Sequence, residues 1–471
     1  MPVAARQIRP LMETQPSPAQ SCPAQPSQFS GKLVRPPFFY RQWMLAGNPA
    51  LFFDRLVQDF GDFVHYRGLF SFYLVNHPGL VKKVLQESNK SFDKNSLIYD
   101  RFRNAFGNGL VVAEGERWRR QRRLMQPMFG PNAIKQFFDL MVDSANQLAE
   151  RWEPACGSRH VFDLAPDMNH VTLQIAGRSL FQDSFDQMAE QIARWTHVIN
   201  LYSAKPPLPI IRSFWFPSRI NRQLKQALAE FHVFLQQMIE RRRGNHHDSD
   251  LIGRLLAARD AETGATMSDQ EIAEEALGMI IGGHETSSSA LSWIWCELDQ
   301  NRAVRDKLWA ELEEVVGTQP LSLEHLPRLI YARMLIEETL RLHPPFWFEN
   351  RNVVDDVELG GECIPKGSVV VFSRYSLHRH TGFWKAPQRF DPERFRPDQE
   401  ENRRSAHAHV PFGGGPRYCI GVHFAMMELL VVLAVIARKY NVVLDPSHRH
   451  QMAAHLTMTP KYGVKVRLEA R

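Results

Sequence analysis

Phe412-Gly413-Gly414-Gly415-Pro416-Arg417-Tyr418-Cys419-Ile420-Gly421 is the stretch that decides how the rest of this chain is read. Its glycines allow close backbone approach and unusual dihedrals. Arg417 offers a fixed cationic fork suited to a carboxylate. Cys419 comes just before a predicted helix start, where the dipole and free amides favour a thiolate. A soft anionic ligand in a loop of N–H groups suits an iron whose donor strength must be held steady. A phosphate loop would want Lys-Ser or Lys-Thr after the glycines, and neither follows here. His407, His409, Cys419 and His423 raise a zinc reading, but structural zinc usually takes ligand pairs at tight spacing with more cysteine, so it is set aside.

Outward from this loop the pattern is helical. Ser268 with Glu271 makes a capping box, and a helical pattern runs on through Asp299. A second helix is predicted from Leu329 to Leu342, stopped by Pro344 and Pro345. A third runs from near Gly421 to Lys439, with two cations in its last turn. Val357-Glu358-Leu359, the Gly360-Gly361 turn and Val369 to Phe372 read as hairpin material. Lys205 to Pro209 and Arg241 to Asp250 read as loops. The expected class is mainly α with small β-sheets.

The long helix contains Gly282-Gly283-His284-Glu285-Thr286-Ser287. Two glycines inside a helix cost about 1 kcal/mol each relative to alanine, so they need a reason. Close helix packing is one; room for a ligand beside the helix is the other. An acid followed by a threonine suits proton relay. His284 reads as packed or solvated. Glu338-Thr339-Leu340-Arg341 puts an acid and a base at i, i+3, which alone is an ordinary surface pair. Trp118 and Arg122 share a helix face within the basic run Arg117 to Arg123.

These segments together resemble the cytochrome P-450 superfamily. Phe412, Gly415, Arg417, Cys419 and Gly421 match F-x-x-G-x-R-x-C-x-G; Glu338 and Arg341 match E-x-x-R; Trp118 and Arg122 match W-x-x-x-R; Pro392-Glu393-Arg394-Phe395 resembles P-E-R-F. The resemblance covers residues 31 to 471 and implies haem b between the long central helix and the helix after the Cys loop. It implies Cys419 as iron ligand, with Phe412 in the cofactor loop and Trp118, Arg122, Arg351 and Arg417 as propionate contacts. Glu338, Arg341 and Arg394 are implied to form a buried network bracing the loop. Glu285 and Thr286 are implied to support proton entry and oxygen activation. The implied reaction inserts one oxygen atom of O2 into a C–H bond or double bond, the other leaving as water.

The 471 residues are 44% hydrophobic and 11% aromatic, enough for a large core with an internal pocket. Net charge is +6, but basic residues interleave with acids, so no nucleic-acid role is expected; the Arg117 to Arg123 patch reads as surface or as a dock for an acidic electron donor. Five unpaired-looking cysteines fit a reducing compartment. Residues 1–30 lack an apolar core and read as a disordered tail before a single haem-binding domain, 31–471. The longest apolar run, Leu429 to Ala437, is far short of the ~20 residues that span a bilayer, so a soluble, cytoplasmic enzyme without a transmembrane anchor is expected. No G-x-G-x-x-G unit is present, so electrons from NAD(P)H are expected through a separate ferredoxin or flavodoxin with its reductase.

By similar placement, Leu97, Phe106, Val111, Leu277, Ile281, Phe346, Trp347 and Met458 are the expected pocket residues. Their apolar and aromatic character points to a lipophilic substrate such as a fatty acid or terpenoid. Two alternatives stay open: a relative that uses peroxide or rearranges hydroperoxides, and a non-catalytic haem sensor. The Glu285-Thr286 pair speaks against both.

Overall fold

The computed structural model describes residues 32–34, 48–68, 71–182, 185–204, 218–244, 250–398 and 407–471. Residues 1–30, read as a tail, and the Lys205 to Pro209 loop lie outside these. The longer helices are α1 (Pro49–Phe60), α2 (Leu97–Phe106), α3 (Gly115–Met125), α4 (Phe138–Trp152), α5 (Ala165–Phe181), α6 (Ala189–Ala204), α7 (Arg219–Gly244), α8 (Asp269–Gln300), α9 (Arg302–Val315), α10 (Ile330–Leu342) and α11 (Val422–Lys439).

Helix α8 starts where the sequence says it should. Ser268 Oγ accepts from the Glu271 amide at 3.3 Å and the Glu271 carboxylate accepts from the Ser268 amide at 2.9 Å, satisfying two end donors at once. From Ser287 to Leu298 it is buried on every face, so it is the central helix. It packs along α5, and also against α7, α10 and α11. Helix α11 is buried through Leu429 to Ala437, so the chain's longest apolar run is core. Among the described residues no helix is long and apolar enough to cross a membrane.

The described residues also form thirteen short strands: β1 (Lys32–Val34), β2 (Phe63–Arg67), β3 (Ser71–Val75), β4 (Phe92–Asp93), β5 (Phe162–Asp163), β6 (Phe348–Val353), β7 (Val357–Leu359), β8 (Glu362–Ile364), β9 (Val369–Ser373), β10 (Tyr440–Leu444), β11 (Met452–Ala454), β12 (Met458–Pro460) and β13 (Lys465–Ala470). They form a six-stranded sheet in the order β1-β2-β3-β9-β6-β4, a three-stranded sheet β10-β13-β5, and the hairpins β7-β8 and β11-β12.

Two expectations are corrected. Across the Gly360-Gly361 turn, β7 pairs with Glu362–Ile364 and not with Val369 to Phe372, which enters the large sheet between β3 and β6. A two-residue turn returns the chain at once, so its partner has to be the adjacent segment. Helix α7 also continues through Arg241-Arg242-Arg243, where a loop was expected. Cations suit a helix C-terminus, and Arg242 is anchored to the Asp250 carboxylate and, at 2.6 Å, to the Phe181 carbonyl.

Candidate active site

The Cys loop is held by backbone. Gly415 takes φ +63°, and a Cβ there would lie 2.0 Å from the Leu85 carbonyl oxygen, so no other residue fits this approach. The Cys419 amide donates to the Phe412 carbonyl at 3.0 Å. The thiol has accessible surface yet lies deep in the protein, as a sulfur facing an interior space would. Burial pushes its pKa up; the Gly421 amide and the charges of Arg122 and Arg374 oppose this. A bound cation would favour the thiolate outright.

The loop is braced as the E-x-x-R match implies. Arg341 donates to both Glu338 oxygens at 2.6 and 2.8 Å, with both side chains fully buried. It also donates to the carbonyls of His378, Pro387 and Arg389 at 2.7, 2.8 and 3.2 Å, and Arg394 lies 3.4 Å from Glu338. The link to the loop is His378. Its Nε2 accepts from the Val410 amide at 3.0 Å, so Nδ1 must carry the proton and donate to the Arg341 carbonyl at 3.1 Å. Burial holds this imidazole well below its ordinary pKa, in the neutral form those two bonds require.

Beside the loop lies a buried cluster with unbalanced charge. Arg351 and Arg374 both pair with Glu349, Arg417 pairs with Glu114 at 2.6 Å, and Lys94 donates to the Val111 carbonyl at 2.8 Å. Against the burial that would raise it, Arg351 and Arg374 hold the Glu349 carboxyl down to about 2. Burial and then the Arg351 charge drive Lys94 down to about 7. Among the described residues, the four cations of this cluster face two carboxylates. Buried charge demands a partner, and a dianion such as the paired propionates that the resemblance implies would fit here.

Trp118 belongs to this cluster, with the Arg417 guanidinium 4.0 Å above its ring. Arg122, its partner in the motif, donates to the Tyr418 carbonyl at 2.9 Å, beside Cys419. The rest of the basic run is neutralised internally. Arg117 reaches Glu274 at 2.8 Å, Arg123 reaches Asp260 at 2.9 Å, and Arg120 pairs with Glu271.

On helix α8 the two glycines divide the two roles. A Cβ at Gly283 would touch the Ala176 Cβ of α5 at 3.8 Å, a packing contact. At Gly282 it would meet nothing within 4 Å, so there is room beside the helix. Thr286 Oγ1 donates to the Gly282 carbonyl at 2.8 Å. Glu285 is buried, and one carboxylate oxygen accepts from Thr457 at 2.9 Å and from the Asn200 amide; the other has no partner. Burial pushes its pKa up to about 7, opposed by the Thr457 bond. A cleft of about 610 Å³, lined by Asn169, His197, Asn200, Ser288 and Thr457, reaches it from outside. His284 is packed, its Nδ1 2.5 Å from the Ile280 carbonyl, and burial lowers its pKa to about 4.

The expected pocket residues separate. Phe106, Leu277 and Ile281 are buried, Phe346 is half-buried under the Arg374 guanidinium, and Leu97 and Val111 keep accessible surface. Trp347 and Met458 are buried. Both pack with Ala50, Tyr375 and Ala454, because the Trp347 indole is committed to the His455 carbonyl at 2.8 Å and Met458 N–H to the Pro345 carbonyl at 2.8 Å. A larger cavity, about 900 Å³, lies behind the loop between Ile134, Leu326, Phe395, Phe412 and Met426. No residue of α8 lines it, so it is not the space facing Gly282 and Thr286. Lys94, Glu114, Glu349 and Arg374 carry no motif and were missed from sequence, as were Asn200 and Thr457.

A family model described as Cytochrome P-450 matches residues 31–467. The chain belongs to the cytochrome P-450 family. Cyclooctat-9-en-7-ol 5-monooxygenase of Streptomyces melanosporofaciens is 32% identical, covering 81% of this chain and 82% of its own. Pentalenene oxygenase of Streptomyces avermitilis is 31% identical, covering 91% and 94%. A cytokinin hydroxylase of Arabidopsis thaliana is 31% identical, covering 83% and 77%. The crystal structure of the cytochrome P-450DA haem domain superposes with a TM-score of 0.84 at 26% identity, covering 94% of this chain and 98% of that one. This P-450 is therefore a haem-dependent monooxygenase with the fold its Cys loop implied.

Proposed function

We propose that the chain, as one haem-binding unit over residues 31–471, hydroxylates or epoxidises a lipophilic small molecule, a terpenoid or fatty acid. Electrons come from NAD(P)H through a separate ferredoxin or flavodoxin with its reductase, in the cytoplasm. When bound, haem supplies the oxygen chemistry. The observation that carries its seat is the surplus of basic side chains, Lys94, Arg351, Arg374 and Arg417, over the carboxylates of Glu349 and Glu114 beside Cys419. These cations hold and orient the group's carboxylates, and the Cys loop fixes the donor sulfur. Phe412 closes the loop from the side of the Cys419 amide.

Glu285 holds a proton near neutral pH, at a buried carboxyl reached from the cleft, and Thr286 stands at the next position beside the space at Gly282. This supports proton delivery from outside to the ligand side of α8. The relatives' names support the substrate class: cyclooctat-9-en-7-ol and pentalenene are by name an unsaturated alcohol and an alkene.

The test is the difference spectrum of the dithionite-reduced protein with and without carbon monoxide, in the wild type and in Cys419→His. A red-shifted Soret band in the wild type only supports Cys419 as ligand. An imidazole-type band in the wild type overturns it. Spin-state shifts with a terpenoid and fatty-acid panel then test the substrate class, and turnover with NAD(P)H plus ferredoxin and reductase, against peroxide alone, tests the electron route.

A further inference from the structure

At the far end of α8, away from the Cys loop, five potential metal ligands converge. Cys296 lies fully buried on the helix, with its Sγ 3.9 Å from His448 Nε2. His450 follows in the same segment, and one donor atom from each of Cys296, His448 and His450 lies within 4.8 Å of the others. His450 is shared with a second such triad, formed with Glu297 and His343. Glu297 and His343 are bonded to each other at 2.7 Å, and both are buried. These two triads are the groupings with metal-holding spacing among the described residues.

We propose that Cys296, His448 and His450 hold a zinc ion, with the Glu297–His343 pair alongside it. Thiolate with imidazole is a ligand set that zinc takes in tetrahedral sites. The histidines are prearranged for it. The His343 ring stacks on Trp293 at 4.1 Å, and His450 meets the same indole edge-on at 5.2 Å. The Gln300 amide nitrogen donates to His450 Nδ1 at 2.9 Å, which steadies the ring. Buried Nδ1 of His343 and of His448 has no hydrogen-bond partner, a loose end for a purely structural polar cluster.

Zinc binding would release the thiol proton to solvent and leave a thiolate and a carboxylate beside a divalent cation.

The ion would act on the hairpin β11-β12. His448 and His450 stand in the segment that leads directly into Met452. The far side of that hairpin holds Thr457, bonded to Glu285, and Met458, whose carbonyl accepts from Ser289 and, at 3.4 Å, from Trp293. A metal clip on residues 448–450 would fix the base of the element that holds the acid.

The test is metal analysis of the haem-loaded protein. It is stripped with chelator, equilibrated with micromolar zinc chloride, desalted and measured by plasma mass spectrometry and zinc-edge X-ray absorption. About one equivalent is expected, with one sulfur near about 2.3 Å and nitrogen or oxygen at about 2.0–2.1 Å. Cys296→Ser and His450→Ala should each lower retention at least tenfold; His450 is exposed, so its variant tests the site where the buried cysteine variant misfolds. The proposal fails if less than a tenth of an equivalent is retained, if no sulfur scatterer is seen, or if His450→Ala retains zinc like the wild type.

Discussion

The Thr457 hydroxyl donates to the Glu285 carboxylate across 2.9 Å, from the tip of a short hairpin to the centre of the longest helix. That bond holds a charged form which burial disfavours, so removing it should raise the carboxyl pKa further above about 7. Thr457→Val is expected to shift the Glu285-dependent limb of the pH–rate profile to higher pH with haem content unchanged. A profile superposing on the wild type would count against Glu285 as the titrating group.

The same shift sets a stability window. Below pH 4.5 the carboxyl is protonated in both the folded and unfolded chain. Between 4.5 and about 7 the unfolded chain releases the proton while the folded one keeps it, so this group's contribution falls as pH rises, by about 3 kcal/mol in all, and then levels off. Glu285→Gln should therefore gain stability relative to the wild type across that interval, measured by denaturant melts from pH 5 to 8. Subtracting the two curves removes Glu275, which burial raises in the same direction to about 8.

Breaking the Glu338–Arg341 pair should be severe. Glu338→Ala leaves a guanidinium buried with only carbonyl partners, a loss of roughly 3–5 kcal/mol. Through His378 and Val410 the damage reaches the Cys loop, so haem retention should fall with stability. Urea denaturation and pyridine haemochrome content measure the two together.

The cation excess predicts opposite effects on two species. Lys94→Met removes one of four buried cations, so the haem-free chain should become more stable while haem leaves the loaded protein faster, by about ten- to a hundredfold if one charged hydrogen bond of ~1.5–3 kcal/mol is lost. Stability of the haem-free chain and the rate of haem transfer to a scavenger are the readouts. A Lys94 that serves packing alone would lower stability in both forms.

Gly282 and Gly283 should respond differently to bulk. Gly282→Ala adds helix propensity in open space and should stabilise by up to about 1 kcal/mol while tightening the ligand side. Gly283→Leu presses on Ala176 of α5 and should destabilise by about 1–3 kcal/mol. Thermal melts with substrate-induced spin-state shifts distinguish them.

Local chemistry was legible in the sequence and long-range company was not. Ser268 and Glu271 fix a helix start within four residues, and the loop from Phe412 to Gly421 carries its own turn and thiol, so both could be read from their neighbours alone. The spacing of Glu338 and Arg341 alone is that of a surface pair, and only the resemblance implied a buried network; the carbonyls of residues 378 to 389 that surround Arg341 had no signal of their own. Lys94, Glu349 and Arg374 stand on three separated segments with no spacing between them to read. An aromatic ring in a sequence does not declare which side it faces, so the bond from the Trp347 indole to the His455 carbonyl had no signal to read. The zinc weighed at His407, His409, Cys419 and His423 finds no support in the fold. His407 turns to Gln86, and His409 is buried near Glu337 with its pKa lowered to about 3. The cysteine that does meet histidines sits on α8, and its partners come only after α9, α10, α11 and the strands between them.

Gly415 lies against the Leu85 carbonyl, so the Cys419 loop is shaped by a segment from the opposite end of the chain. During synthesis the early segment emerges first and has to wait for nearly everything between. Haem capture then belongs late in folding, and a fragment beginning beyond residue 90 would carry the cysteine without the wall that gives its loop a form.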